Sequence, residues 1–105
     1  MKNTNKDKIK LGNWAEQQAA VFLQSHGFQI LHQNYHSIFG EIDLIAKNAQ
    51  DLVFVEVKAR SKTQYGQSSE VVSITKQQKI IKTALTYLSK YPEMNDLYCR
   101  FDVIC

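Results

Sequence analysis

The sequence predicts one α/β domain with the element order helix, strand, strand, strand, helix, strand, and three patterns predict it. Apolar residues recur at helical spacing over residues 9–26 and again over 73–91. Apolar and polar residues alternate, as in half-buried strands, over 40–46 and 53–60. A final alternating stretch follows the second helical pattern. Because a helical crossover joins parallel strands, we expect a mixed sheet of about four strands flanked by helices.

Length and composition are those of a small globular protein. The chain has 105 residues and 44% hydrophobic residues, which suits one domain covering residues 1–105. No apolar run approaches the roughly 20 residues that cross a bilayer, and the Lys- and Asn-rich start lacks the apolar segment of a signal peptide. We therefore expect a cytoplasmic protein without a membrane partner, in which residues 1–8 form a flexible basic arm.

The first helix is predicted from an apolar stripe. Its members are Leu11, Ala15, Ala19, Phe22 and Leu23. Gly27 suits the C-terminal cap of this helix, because glycine readily adopts the left-handed conformation found there. Glu16 lies at the edge of the stripe, beside Ala20, so it either leans over the sheet or is solvated. The pattern leaves both alternatives open.

Residues 28–35 predict a first strand, and the next two strands predict a hairpin with a turn at 48–51. In the second strand Ile42, Leu44 and Ala46 share one face, and Glu41 and Asp43 share the other. Matching the apolar faces restricts the register, because a slip of one residue would reverse every side chain of a strand. The predicted pairs are Lys47 with Leu52, Asp43 with Glu56, and Glu41 with Lys58.

The pairing of Asp43 with Glu56 indicates a specific kind of site. Directly opposed side chains have Cβ atoms about 4.5–5.5 Å apart, so two carboxylates there repel each other unless a cation compensates. Hard divalent cations such as Mg²⁺ prefer oxygen ligands. The alternative is an exposed polar face that carries cross-strand ion pairs, and the spacing alone does not decide between the two.

Asp43 followed by Glu56-Val57-Lys58 resembles the signature of the PD-(D/E)xK nuclease superfamily, an acid, a spacer and then acid-x-lysine. More narrowly, the blocks 40–45, 53–60 and 100–104 resemble the YraN-like family, which is described as Holliday-junction-resolvase-like. Asn34-Tyr35 also matches, and the resemblance runs from about residue 11 to 105. It implies a restriction-endonuclease-like core. Similar proteins usually continue with a further strand and helix. Whether the C-terminal end of this chain is truncated therefore stays open.

The resemblance also implies an activity. It is the metal-dependent hydrolysis of DNA phosphodiester bonds, with branched DNA such as Holliday junctions as the favoured substrate and Mg²⁺ or Mn²⁺ as the cofactor. The metal ligands that the resemblance implies are Asp43, Glu56, the Val57 carbonyl and Glu16. Lys58 would orient a water molecule, and Glu41 would hold Lys58 in place. The rival reading is a non-catalytic nucleic-acid-binding module, and a structural partner of another protein is a third. A homodimer and an RNA substrate stay open.

Basic residues outside the motif are candidates for phosphate contacts. On a helical wheel the lysines of the second helix lie opposite its apolar stripe of Ile81, Ala84, Leu85 and Leu88. These lysines are Lys76, Lys79, Lys82 and Lys90. Lys76, nearest the helix start, is the best placed to reach the acids. The loop after the third strand adds Arg60, Lys62 and Tyr65, and the last strand adds Arg100. The alternatives are a solvated helix face and a plain connecting loop.

The two cysteines and the three histidines carry no metal signature. Cys99 and Cys105 lie in the last predicted strand, at residues 97–105, too far apart for an internal disulfide. We interpret both as reduced core residues. The histidines do not combine with them into a zinc spacing, so they are expected to be structural or surface residues.

Overall fold

The computed structural model describes residues 5–59 and 72–105 and confirms the predicted element order. The elements are α1 (Asn5–Ser25), β1 (Gln29–Ser37), β2 (Gly40–Lys47), β3 (Asp51–Val57), α2 (Ile74–Lys90), a short 3₁₀ helix (Pro92–Asp96) and β4 (Tyr98–Ile104). The sheet has four strands in the order β1-β2-β3-β4. Neighbours are antiparallel except β3 and β4, which are parallel because α2 makes the crossover.

The first helix starts earlier than predicted and ends where Gly27 was expected to end it. It begins at Asn5, so residues 5–8, predicted as part of a flexible arm, are helical. Gly27 has a φ of 87°, and the Phe28 N–H donates to the Leu23 carbonyl at 3.0 Å. This is the hydrogen bond of a Schellman cap.

The buried side of the first helix matches the predicted stripe only in part. Ala19, Ala20 and Leu23 are buried, whereas Leu11 and Phe22 are exposed. Two small alanines let the helix backbone approach the sheet closely, which an apolar count alone does not predict.

The predicted hairpin register is correct at the turn, and the ladder then ends early. Lys47 pairs with Leu52 as predicted, and the pairing continues to Leu44 with Val55. The next residues, Asp43 and Glu56, lie just beyond this last pair. The Asn48 side-chain oxygen accepts hydrogen bonds from the backbone of the turn, which fixes the register.

The sheet has a hydrophobic cluster on each face, one under each helix. Leu44, Ala46, Val53 and Val55 pack with buried residues of α1. Ile45, Leu52, Phe54 and Ile42 pack with Ala84 and Tyr87 of α2. The prediction that Ile42 shares a face with Leu44 and Ala46 is therefore wrong. The alternation breaks opposite Asn34, which has a left-handed φ of 52° and interrupts the regular strand.

The second helix has the predicted boundaries, and its buried face matches the predicted stripe only at Ala84, which is buried, and Leu88, which packs against the same cluster. Ser73 caps the helix, accepting a hydrogen bond from the Lys76 N–H. The buried residues of α2 are Thr83, Ala84 and Tyr87. Ile81 and Leu85, predicted as core, are 47% and 59% exposed. The prediction counted aliphatic residues and gave no weight to a tyrosine and a threonine, which here form the contact with the sheet.

The last strand forms one edge of the sheet, and this explains the position of the cysteines. Phe101 of β4 stacks on Phe54 of the neighbouring strand with ring centroids 5.3 Å apart. Cys99 and Cys105 are free thiols, as predicted, but both are exposed rather than buried in the core. In the two described ranges no helix is both long enough and apolar enough to span a membrane.

Candidate functional site

A cleft opens where β2 and β3 leave their ladder, and it brings the predicted acids together. Its volume is about 320 Å³, and its walls include Glu41, Asp43, Glu56, Lys76 and Lys79. The Val57 N–H donates to the Asp43 carboxylate at 2.8 Å, which ties Asp43 to β3. The early end of the ladder therefore creates a space between two strands that regular pairing would close.

Glu56 is the buried acid of this cleft and pairs with Lys76. Only 9% of the residue is exposed, and the Lys76 ammonium donates a hydrogen bond to its carboxylate. Burial raises the pKa of Glu56, the Asp43 charge adds to the rise, and Lys76 and Lys58 oppose it. Burial prevails over the lysines, so ionised Glu56 is unfavourable here even with a partner.

Glu16 joins the same acidic cluster from α1. Burial raises its pKa, and the charges of Asp43, Glu41 and Glu56 raise it further. A hydrogen bond with Asn34 acts in the opposite direction. The partial burial of Glu16 and the effect of the other acids on its pKa favour the alternative in which Glu16 leans over the sheet.

The ligand atoms that this cluster could provide are all oxygens, which are the ligands that hard divalent cations prefer. Among residues 5–59 and 72–105, however, no group of three acidic, histidine or cysteine side chains is close enough to hold a metal ion. The Lys76 ammonium contacts the Glu56 carboxylate that such an ion would bind. Binding therefore requires Lys76 to withdraw and the carboxylates to move together. The Lys76 side chain is 45% exposed, so solvent is available to it.

Lys58 and Glu41 lie near the acids but do not contact each other as predicted. The charge of Lys58 acts on Glu56, and its backbone N–H donates to the Ile104 carbonyl at 2.8 Å. Glu41 instead lies 3.1 Å from the Nδ1 atom of His36. The predicted pair depended on a ladder that continued to Glu41, and the ladder ends at Leu44.

The predicted phosphate-binding residues fall into four groups. Lys76 and Lys79 line the cleft. Lys76 reaches the acids as predicted, and Lys79, which the helical wheel grouped with the lysines opposite the apolar stripe, lies beside them as well. Lys82 lies further along the helix, against the β1–β2 turn. Arg100 bonds to Asp51 and Asp102 instead, and its guanidinium is directed toward the start of β3, away from Glu56. Arg60, Lys62 and Tyr65 fall outside the described residues.

Asn34 is the site residue whose role sequence reasoning missed. It hydrogen-bonds to Glu16 and takes the left-handed conformation opposite Asp43. One signal was present, because asparagine is among the few non-glycine residues enriched at positive φ. Because Asn34 lies within a stretch of strand-forming residues, this preference alone did not predict its left-handed conformation.

Comparison with known proteins gives a consistent result. The model of the uncharacterised protein family UPF0102 matches residues 15–105. The chain belongs to this family, which is the YraN-like family. It is 53% identical over 96 residues to the UPF0102 protein of Acinetobacter baumannii strain AYE, covering 91% of this chain and 72% of that protein. A UPF0102 protein of Francisella tularensis subsp. tularensis is 45% identical over 97 residues, covering 91% and 83%.

The raised pKa of Glu16 predicts how the stability of this UPF0102 chain depends on pH. Below the ordinary value of 4.5 Glu16 is protonated in both folded and unfolded chains, so it has no effect on stability. As the pH rises through the higher folded pKa, ionised Glu16 destabilises the fold. We expect Glu16→Gln to raise the melting temperature at about pH 7 and to leave it unchanged at about pH 4. Thermal unfolding at both pH values measures this, with the exposed Glu93→Gln as the control. An equal shift at both pH values would contradict it.

Proposed function

We propose that this protein is a divalent-metal-dependent nuclease that hydrolyses phosphodiester bonds in DNA, with branched DNA as the favoured substrate. One observation carries the proposal: Glu41, Asp43 and Glu56 line one cleft. Burial, together with the charges of neighbouring acids, raises the pKa of Glu56 and also the pKa of Glu16 on α1. A divalent cation would relieve the repulsion among these acids directly. The resemblance to the acid-x-lysine nucleases supports the same chemistry.

Residues of three elements would hold the metal. Asp43 and Glu56 provide carboxylates, the Val57 carbonyl provides a further oxygen, and Glu16 completes the acidic shell. When bound, Mg²⁺ or Mn²⁺ would lower the pKa of a bound water and neutralise charge on the phosphate. The Val57 N–H keeps Asp43 in place, so this carboxylate is already oriented.

The lysines around the cleft would act on the substrate. Lys58 follows Glu56 by two residues and would stabilise the extra negative charge on the phosphate in the transition state. Lys79 on the cleft wall, and Lys76 when it is withdrawn from Glu56, would contact neighbouring phosphates. In this proposal the acids would bind the cation, and the lysines would bind the negatively charged DNA backbone.

Metal binding is the first test, and calorimetry with Mg²⁺ and with Mn²⁺ measures it. We expect wild-type binding in the micromolar-to-millimolar range, no binding by Asp43→Ala, and unchanged binding by Asp96→Ala, an exposed acid on the 3₁₀ helix. Cleavage assays on linear and four-way DNA then follow. If Asp43→Ala binds the ions as the wild type does, the metal site is not here.

A second candidate function is a nucleic-acid-binding module without catalysis, and one observation favours it. Lys76 already compensates the Glu56 carboxylate, so the cluster can exist without a metal. For such a module, added divalent ions would not be needed for DNA binding, and the affinity would fall steeply with salt. DNA binding of this kind, combined with no calorimetric signal for either metal, would favour the module over the nuclease.

A further inference from the structure

An exposed apolar pair, Ile38 and Phe39, forms the turn between β1 and β2. Ile38 is 94% exposed and Phe39 is 41% exposed. Gly40 and Glu41, which follow directly, already belong to the wall of the acidic cleft. Single exposed apolar residues are common, but this pair is adjacent in sequence and sits beside a candidate active site. We call these two residues the hairpin tip.

Hydrogen bonds and packing fix the hairpin tip to α2. The Ser37 hydroxyl lies 2.9 Å from the Thr83 hydroxyl, and the Phe39 N–H donates to the Ser37 oxygen at 3.0 Å. A Cβ atom on Gly40 would lie 3.4 Å from the Cβ atom of Lys79, in ordinary van der Waals contact with α2. The tip is therefore held in one orientation by the same helix that forms the cleft wall. A preorganised apolar group loses little conformational entropy on binding.

Cations flank the hairpin tip on the side of α2. The Lys82 ammonium lies 5.7 Å from the centroid of the Phe39 ring. Lys79 lies between the tip and the acids of the cleft. An aromatic ring with lysines on one side matches a strand that presents a base to the ring and phosphates to the lysines.

We propose that the hairpin tip contacts unpaired bases at a gap or branch in DNA, with Phe39 stacking on a base while Lys79 and Lys82 contact the flanking phosphates. The proposal rests on the proposed nuclease function and specifies its substrate as DNA in which bases are unpaired beside the cleaved strand. Apolar and aromatic side chains that insert at base steps are a known means of recognising distorted DNA. In a fully paired duplex the same ring has no free base face to contact.

Fluorescence anisotropy on two DNAs of equal length tests this, one an intact duplex and one with a short single-stranded gap. The measurements are made in EDTA, so they depend neither on the metal site nor on cleavage. We expect the wild type to prefer the gapped DNA, and Phe39→Ala to lose about tenfold in affinity for it, the size of one lost stacking contact. Affinity for the intact duplex should change little. A fluorescent adenine analogue in the gap should lose its stacking signal with this variant.

Two further variants separate the role of the tip from general effects. Phe22→Ala removes another half-exposed aromatic ring, on α1, and should keep the wild-type preference for the gap. Lys82→Ala should weaken binding to both DNAs and reduce the slope of affinity against salt by about one. The proposal is overturned if the wild type does not distinguish the two DNAs, or if Phe39→Ala binds gapped DNA as tightly as the wild type. Metal binding lost in Asp43→Ala would still support the nuclease in either case.

Discussion

Glu56→Gln is expected to abolish metal-dependent hydrolysis and to leave the fold at least as stable as the wild type near neutral pH. Loss of a residue that supports a metal ligand typically costs 10–100-fold, so loss of a ligand itself should cost about 100-fold or more. Stability should move the other way, because burial raises the pKa of Glu56 above its ordinary value despite Lys76. The ionised group therefore destabilises the fold at pH values above that raised pKa.

The prediction combines a loss of activity with a stability that is kept or increased, and both are measured. Initial rates of DNA cleavage in Mg²⁺ and melting temperatures at about pH 7 and pH 4 are measured for the wild type, Glu56→Gln and the exposed control Glu93→Gln. The stability gain of Glu56→Gln should be present at pH 7 and absent at pH 4, where Glu56 is protonated in the wild type. A variant that loses both activity and stability at pH 7 would indicate that Glu56 has a structural role through Lys76. A variant that keeps its activity would remove Glu56 from the site.

The contact between Lys76 and Glu56 would have to open before the acidic cluster could bind a cation. With the ammonium on Glu56, the buried carboxylate has a partner and the cleft holds no group of three convergent ligands among the described residues. With the ammonium in solvent, the carboxylate is available to a cation. Because the Lys76 side chain is already 45% exposed, little surface has to be uncovered for this change. The opposing effects on activity and stability expected for Glu56→Gln follow from this arrangement.

The local features of the fold were predictable because short-range chemistry determines them. Gly27 ends α1, Ser73 caps α2, and the turn at Asn48 fixes the register of the hairpin at Lys47 and Leu52. In each case the deciding contact lies within a few residues along the chain. Pattern reasoning therefore needed no knowledge of the tertiary structure.

Features that depend on the packing of one helix or strand against another could not be predicted from short-range patterns. The hairpin ladder ends at Leu44, so Glu41 cannot pair with Lys58 as a continued register required. A helical wheel shows which residues of α2 share a face but not how that face is rotated against the sheet. For this reason the helical wheel does not predict that Lys79 adjoins the acids, whereas the position of Lys76 at the helix start does predict its contact with Glu56. The hairpin tip, held by Ser37 and Thr83, depends on the same long-range packing.

Tyr87→Ala is expected to produce the largest loss of stability, about 3–5 kcal/mol. Tyr87 is 1% exposed and lies at the centre of an aromatic cluster under α2. Its ring centroid is 4.6 Å from that of Tyr91, 5.2 Å from those of Tyr35 and His32, and 6.0 Å from that of Phe54. Small domains have total stabilities of roughly 5–15 kcal/mol, so this one substitution removes a large part of the margin.

Tyr87→Phe is the matched variant, because it keeps the ring and removes only the hydroxyl. Burial raises the pKa of Tyr87 to about 12, so the group is neutral at physiological pH and no charge is lost. We expect a change below about 1 kcal/mol in urea unfolding. Since Tyr87 anchors the helix whose first turns carry Lys76 and Lys79, Tyr87→Ala should also weaken metal and DNA binding, whereas Tyr87→Phe should not. If the two variants were equally unstable, the hydroxyl and not the ring would hold α2 on the sheet.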